Sequence, residues 1–378
     1  MLSTFIRAEI QAKGSISVAR FMELALYTAD LGYYEKTRPI GSAGDFYTSV
    51  SVGSLFGELL ARQFSRWLEE CLCLDGEVQI LEAGAHDGRL ALDILNWFQR
   101  HRPALLSRLC YCIIEPSQKR VAWQRQTLSQ HAEHVRWVPY LESIAPEAVN
   151  GIIFANELLD AMPVHRLGWD ADKKRWREWR IGCEKGEFQW QLEPLPNALL
   201  PWLPRLPPEL QKVLPAQFTI ECCPKAARWW HQAANILHSG RLMTLDYGFT
   251  QSELFQPERQ NGTLRAYYKH RISPDIFDRI GDQDLTAHVN FSALQQAGHR
   301  AGTGTDVLMR QGACLTSIVR DCAQMLEPWS PQRQRQFATL THPHHLGDRF
   351  RVFVQQKGIL KPEARKPAFL ADFRGRLR

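Results

Sequence analysis

Residues 78–100 read VQILEAGAHDGRLALDILNWFQR. Val78–Glu82 is a short apolar run closed by a carboxylate, and the turn Ala83–Gly88 follows it. From Arg89 onward, Leu90, Ile94, Leu95 and Phe98 recur at helical spacing. A buried strand, a tight turn with Gly84 and Gly88, and a helix form a nucleotide-site architecture. Small residues let a ligand approach the backbone, and free N–H groups at the helix start favour an anionic group.

The spacing discriminates between cofactors. A dinucleotide fingerprint needs G-x-G-x-x-G, whereas His86 and Arg89 occupy the places of the second and third glycines. A carboxylate beside the turn, Glu82, instead suits a cofactor whose end carries an ammonium, such as the methionine part of S-adenosylmethionine. A second strand, 110–115 (CYCIIE), ends in Glu115, placed to accept hydrogen bonds from both hydroxyls of a ribose. Pro116 and Ser117 close that strand, and a capped helix follows over about 117–130.

Residues 135–138 (VRWV) and 151–155 (GIIFA) give strands three and four, and 241–246 (RLMTLD) gives strand five. Residues 286–289 and 350–356 can supply the last strands. This alternation of apolar runs and helices predicts an α/β fold, a parallel sheet with helices on both faces. The Trp-rich segment 164–193 alternates, with polar breaks at Asp170–Lys174 and Cys183–Gly186, which predicts three antiparallel strands added to that sheet. The Pro-rich stretch 194–215 reads as a surface connection or lid. After strand four, Asn156-Glu157-Leu158-Leu159-Asp160-Ala161-Met162-Pro163 lacks the prolines of a base-methylating Asn-Pro-Pro-aromatic segment. Glu157 and Asp160 share one face if a helix begins here, and such a pair can clamp a guanidinium or ammonium.

The 378 residues suffice for two domains or one decorated one, and need no disulfide or metal staple. No apolar run reaches 18 residues, which excludes a membrane-spanning helix. Nine cysteines without a C-x-x-C pair read as reduced thiols, and with Arg7 and Glu9 near the N-terminus they predict a cytoplasmic protein. The net charge of +6 comes mostly from 357–378, where seven basic residues face two acidic ones. The body is nearly neutral, which argues against a nucleic-acid partner.

GDFYTS, 44–49, lies in a Gly-rich break and suits a loop folding over a cofactor. Asp45 within it, and Asp246 at the end of strand five, are reserve carboxylates. His342, His344 and His345 lack metal-ligand spacing, so no metal is expected. No G-x-S-x-G elbow or Walker loop occurs.

Together these segments resemble the MidA-type family of class I methyltransferases, which includes the mitochondrial complex I assembly methyltransferase that modifies an arginine. The resemblance runs through 16–36, 44–61, 81–95 and 154–167, and resumes at 245–249, 262–270 and 284–294. It implies a Rossmann-like class I methyltransferase sheet with an N-terminal helical region and inserted strands and loops. The implied organisation is a helical region with a covering loop at 1–70, a catalytic domain at 71–357 with insertions near 164–220 and 250–285, and a basic tail at 358–378. It implies S-adenosylmethionine as cofactor, contacted by Thr48, Ser49, Glu82, Gly84, Ala85, His86, Gly88, Glu115, Pro116, Asn156 and Glu157. Glu157 and Asp160 would serve a nitrogen or oxygen acceptor on a protein or small molecule, a protein arginine or a respiratory complex I subunit among them. Two departures stand out: His86 where relatives usually carry a glycine, and Asn290 where they often carry an aspartate. The alternatives are a non-enzymatic assembly protein on the same fold and a nicotinamide-dependent oxidoreductase.

Overall fold

The computed structural model describes residues 1–36, 48–71, 77–269, 271–321 and 329–358. Asp45 and its neighbours 44–47, Cys73, His270 and the tail from 359 onward lie outside the described residues. The chain divides into two compact units. The first comprises Met1–Tyr47, Leu159–Arg228 and Gly248–Leu294, and the second Thr48–Leu158, Trp229–Tyr247 and Gln295–Arg378. No helix among the described residues is long and apolar enough to cross a membrane.

The second unit carries the main sheet. Its strands are β1 (Val78–Ala83), β2 (Leu109–Ile114), β3 (Val135–Val138), β4 (Val149–Asn156), β5 (Leu237–Phe249), β6 (Gly304–Arg310) and β7 (Phe350–Lys357). They lie in the order 3-2-1-4-5-7-6, with β7 antiparallel to both neighbours and the first five strands mutually parallel. The central strands are apolar runs because both faces are covered. Ile80, Ile113, Phe154, Val352 and Val354 join a core with helices α1 (Leu55–Cys71) and α2 (Arg89–His101). The predicted helical stripe Leu90, Ile94, Leu95 and Phe98 is buried in it. Helix α3 (Gln118–Thr127) starts at Ser117, whose hydroxyl accepts the Arg120 N–H as the sequence predicts. On the other face, Trp230 of helix α4 (Pro224–Ile236) meets Phe353 at 5.2 Å between ring centroids. Its indole N–H donates to Gln355 Oε1 at 2.7 Å.

A pair of glycines, Gly151 of β4 and Gly240 of β5, sits where β1, β4 and β5 run side by side. A Cβ on Gly151 (φ +147°) would sit 2.0 Å from the Gln79 carbonyl oxygen, and one on Gly240 (φ +141°) 1.8 Å from the Gly151 oxygen. Gly151→Ala should therefore cost about 3 kcal/mol or more, because backbone rather than a pliable side chain must move. Thermal denaturation checks this, and an unchanged melting temperature would mean the strands part without strain.

The first unit pairs helices Leu2–Lys13 and Val18–Tyr27 with antiparallel sheets. One sheet runs Ile16–Ser17, Arg175–Glu184, His165–Asp170, Thr219–Cys222, with Glu187–Pro194 also on Arg175–Glu184. This corrects the expectation that the three strands of 164–193 extend the main sheet. Strands that alternate packed and wet positions suit a half-solvated antiparallel sheet, and these pair with one another and with two short distant strands. The reading of 286–289 as a last strand of the main sheet holds only at its end, Val289. Asp284–Thr286 joins a three-stranded sheet, Val289–Asn290 pairs the Gly248–Phe249 end of β5, and the unpredicted β6 takes the edge. The Pro-rich 194–215 stretch is a packed connection, with Leu199 and Leu214 buried against Trp169, Trp176 and Phe218.

Candidate active site

The strand register sets the site. Ala83 pairs with Ile114 on one side and Ala155 on the other, and Leu245 pairs with Asn156. One residue further along, Gly84, Glu115 and Asn156 lie level at the carboxyl ends of three neighbouring parallel strands, each about 4.8 Å from the next, with Leu245 of β5 beside Asn156 and Asp246 following it. Open α/β sheets bind ligands at that edge.

Glu82, on the core face of β1, is 2% exposed and accepts the Tyr111 hydroxyl at 2.7 Å. Burial pushes its carboxyl up to about 7, the Tyr111 hydrogen bond pulls it down, and Asp87 adds to the rise. A cation docked beside this buried carboxyl would favour its ionised form. The turn that follows reverses at three left-handed residues, Gly84 (φ 80°), His86 (φ 47°) and Gly88 (φ 86°). Gly84 is exposed although Glu82, Ala83 and Ala85 around it are buried, so open space lies against its backbone. The His86 carbonyl accepts the Gln124 amide at 3.0 Å. The imidazole lies 6.3 Å from the Trp123 ring, and its buried Nδ1 has no hydrogen-bond partner. Burial holds the ring below its ordinary pKa, so it is neutral at pH 7.

Glu115 is 3% exposed. Its Oε1 accepts the Ser117 N–H and Arg120 Nε, both at 2.9 Å, and its Oε2 accepts the buried Gln124 amide at 3.2 Å. Three donors occupy three of roughly four lone-pair sites, which leaves room to accept from a hydroxyl. Pro116 is exposed beside it. Gln124 Oε1 in turn takes the Trp137 indole N–H at 3.0 Å.

At the end of β4, Glu157 is left-handed (φ 52°) and its N–H donates to the Leu245 carbonyl at 2.9 Å. Its Oε1 accepts the Ser49 N–H and the Asn156 amide, each at 3.2 Å. Buried Asn156 Oδ1 has no partner. Such strain is typical of functional segments. NELLDAMP does not begin a helix, which corrects the one-face argument for Glu157 and Asp160. The left-handed Glu157 breaks the helical path at its first step. Asp160 is 6% exposed, and its carbonyl accepts the Ala287 N–H at 2.9 Å.

Ser49 is fully buried, its hydroxyl donating to Gln311 Oε1 at 3.0 Å, while the Gln311 amide donates to the Leu340 carbonyl at 3.1 Å. Thr48 and Ser51 bond each other reciprocally, backbone N–H to hydroxyl, at 3.1 Å. Asp246 is fully buried, its Oδ1 accepting the Tyr247 N–H at 2.8 Å. Sequence reasoning missed Tyr111, Gln124 and Gln311. Gln124 had a local signal, one helical turn past Arg120; Gln311 lies 262 residues from Ser49 and had none. The exposed Gly84 backbone, the unpaired buried atoms of His86 and Asn156, and the Glu82 and Glu115 carboxylates fit a nucleoside cofactor with an ammonium end.

The family model Methyltransf_28, described as "Putative S-adenosyl-L-methionine-dependent methyltransferase", matches residues 59–309. "Protein arginine methyltransferase NDUFAF7, mitochondrial" of Danio rerio is 26% identical over 379 residues, covering 92% of this chain and 85% of the relative. Its Drosophila melanogaster homologue is 25% identical, covering 95% and 85%. Among solved structures, a COG1565 superfamily member from Burkholderia thailandensis, bound to S-adenosyl-homocysteine, aligns with a TM-score of 0.83 at 27% identity, covering 98% of this chain and 94% of that one. A native crystal structure of a COG1565 superfamily protein from the same organism gives 0.80 at 29% identity, with 98% and 94% covered. The cytoplasmic location expected from the thiols is overturned, since the curated relatives are named as mitochondrial proteins. The nicotinamide and non-enzymatic alternatives give way to an S-adenosylmethionine-dependent enzyme. With well over half of its residues matched by the family model, the chain belongs to the Methyltransf_28 family of S-adenosyl-L-methionine-dependent methyltransferases.

Proposed function

We propose that the methyl acceptor is an arginine side chain of a protein, oriented by Glu157, with the cofactor held by the ends of β1, β2 and β4. The observation that carries this reading is the register of three carboxylates, Glu82, Glu115 and Glu157, at or beside the carboxyl ends of three adjacent parallel strands. The acceptor class is supported by relatives named protein arginine methyltransferase, matched over most of both chains.

When bound, S-adenosylmethionine supplies an electrophilic sulfonium methyl. Glu82 would neutralise the ammonium and Glu115 would accept from the ribose hydroxyls. Gly84, Ala85 and Gly88 offer a close backbone approach, and His86 and Asn156 offer unpaired polar atoms beside it. Thr48, Ser49 and Pro116 would complete the wall. An arginine is charged at any physiological pH, so free deprotonation is too costly to precede transfer. Glu157 instead aligns the guanidinium and shares its positive charge while the methylated nitrogen releases its proton to solvent. Asp160, buried three residues on, is the second carboxylate of the same segment.

Tritiated-methyl cofactor incubated with this protein and a lysate tests the acceptor. Acid hydrolysis is expected to release labelled methylarginine from a protein band, a complex I subunit being the first to examine. Label found only in base-labile esters or in small molecules would overturn the arginine reading.

A further inference from the structure

In the first unit, Arg166 lies opposite both Trp179 and Glu221, and Ile181 lies opposite Trp190. Pleating therefore puts Arg166, Trp179, Trp190 and Glu221 on one face of the sheet. Gly168 leaves that face open, and a Cβ there would come 2.7 Å from the Trp179 indole nitrogen. The Trp179 N–H donates to Thr219 Oγ1 at 3.1 Å, so its polar edge is satisfied while its rings remain as walls. The two indoles stand edge-to-face, 6.5 Å apart at 83°. With Phe218, Thr219 and Asn261 they line a cavity of about 410 Å³, and Arg166 forms part of its wall.

Arg166 is incompletely paired there. Its carbon Cζ sits 4.9 Å over the Trp190 ring, and Nη2 donates to the Asn261 carbonyl at 2.7 Å. Nε is buried with no hydrogen-bond partner. Glu221 Oε1 forms an ion pair with Nε at 3.7 Å, too far for a hydrogen bond, and accepts no hydrogen bond from elsewhere. The other Glu221 oxygen is committed to the Thr263 N–H and hydroxyl at 2.6 and 2.8 Å. Arg265 acts on Arg166 from nearby, and Arg259 and Arg265 together face His288, which burial keeps neutral near pH 7. Among the described residues that line the cavity, Arg166 alone is charged. A guanidinium stacked on an indole uses its face and keeps its edge for a planar anion.

We propose that this cavity binds a carboxylate carried on a flat apolar stem, the carboxylate on the Arg166 edge and the stem against the wall that Trp179 and Trp190 form together. The ligand would be a free aryl carboxylic acid or an acidic side chain next to an aromatic one in a peptide. The site lies wholly within the first unit and does not rest on the cofactor reading.

The full chain labelled with 5-fluorotryptophan tests it by fluorine NMR, with Trp179→Phe and Trp190→Phe assigning the two resonances. Titration with benzoate, or with a blocked Glu-Phe dipeptide, is expected to shift both resonances saturably at millimolar concentration. Benzamide, the neutral isostere of benzoate, should bind at least about tenfold more weakly. Arg166→Met should lose at least tenfold in affinity; should it not fold, Arg166→Lys, which keeps the charge without the planar edge, should show the same loss. Tighter binding of the dipeptide assigns the natural ligand to a peptide, and tighter binding of benzoate to a free acid. No saturable shift with either probe, or equal affinity for benzamide and benzoate, or undiminished affinity in a folded Arg166 variant, would overturn the proposal.

Discussion

Glu157→Gln is expected to lower methyl transfer at least about a hundredfold while changing S-adenosylhomocysteine affinity by less than tenfold. The amide keeps the side chain's size and one acceptor oxygen, so the hydrogen bonds from the Ser49 N–H and the Asn156 amide can persist. What disappears is the negative charge, which matters most as a guanidinium nitrogen gives up its proton. Single-turnover label transfer measures the rate, and calorimetry measures the affinity. A loss confined to affinity would move Glu157 from the acceptor to the cofactor; full turnover would remove it from both. Because Glu157 is held at φ 52° by its own N–H on Leu245, the substitution leaves the backbone path unchanged.

The second large effect is a pH dependence set by Glu82. Its carboxyl lies near 7 in the free protein, mainly because it is buried. A group whose acidic pKa is raised on folding weakens the fold as pH rises from its unfolded value near 4.5 to about 7. The penalty reaches about 3 kcal/mol above that range and vanishes below it. An ammonium docked beside it reverses the balance, since binding then selects the ionised form. S-adenosylhomocysteine affinity should therefore fall about thirtyfold between pH 8 and pH 5.5. The thermal stabilisation it confers should be larger at pH 8. Glu82→Gln keeps a partner for the Tyr111 hydroxyl and should flatten the profile. The same slope in that variant would exclude Glu82 as the titrating group.

Most of the main sheet is legible in the chain because its central strands are buried on both faces and appear as bare apolar runs. β6, Gly304–Arg310, escapes that reading because an edge strand containing Gly304 and Arg310 carries no such run. The inserted strands are visible from their alternation, but not which sheet they join. That depends on Ile16–Ser17 and Thr219–Cys222, short segments far away in sequence. At the candidate site, Glu82, Glu115 and Asn156 stand out in the sequence because they fall at the ends of apolar runs, the edge where open α/β sheets bind ligands. Tyr111, which bonds Glu82, and Gln311, which bonds Ser49, do not, since neither shows its role until folding brings it to its partner. The left-handed turn at Glu157 is equally invisible, and it removes the condition, a helix beginning at NELLDAMP, on which the shared face of Glu157 and Asp160 depended.

Gln124 holds the His86 carbonyl with the same amide nitrogen that reaches Glu115. On the proposed cofactor reading, a single side chain would fasten the amino-acid half of the site to its sugar half. Fragments of the ligand, methionine at one end and adenosine at the other, would each find a seat already braced by the other's arrival.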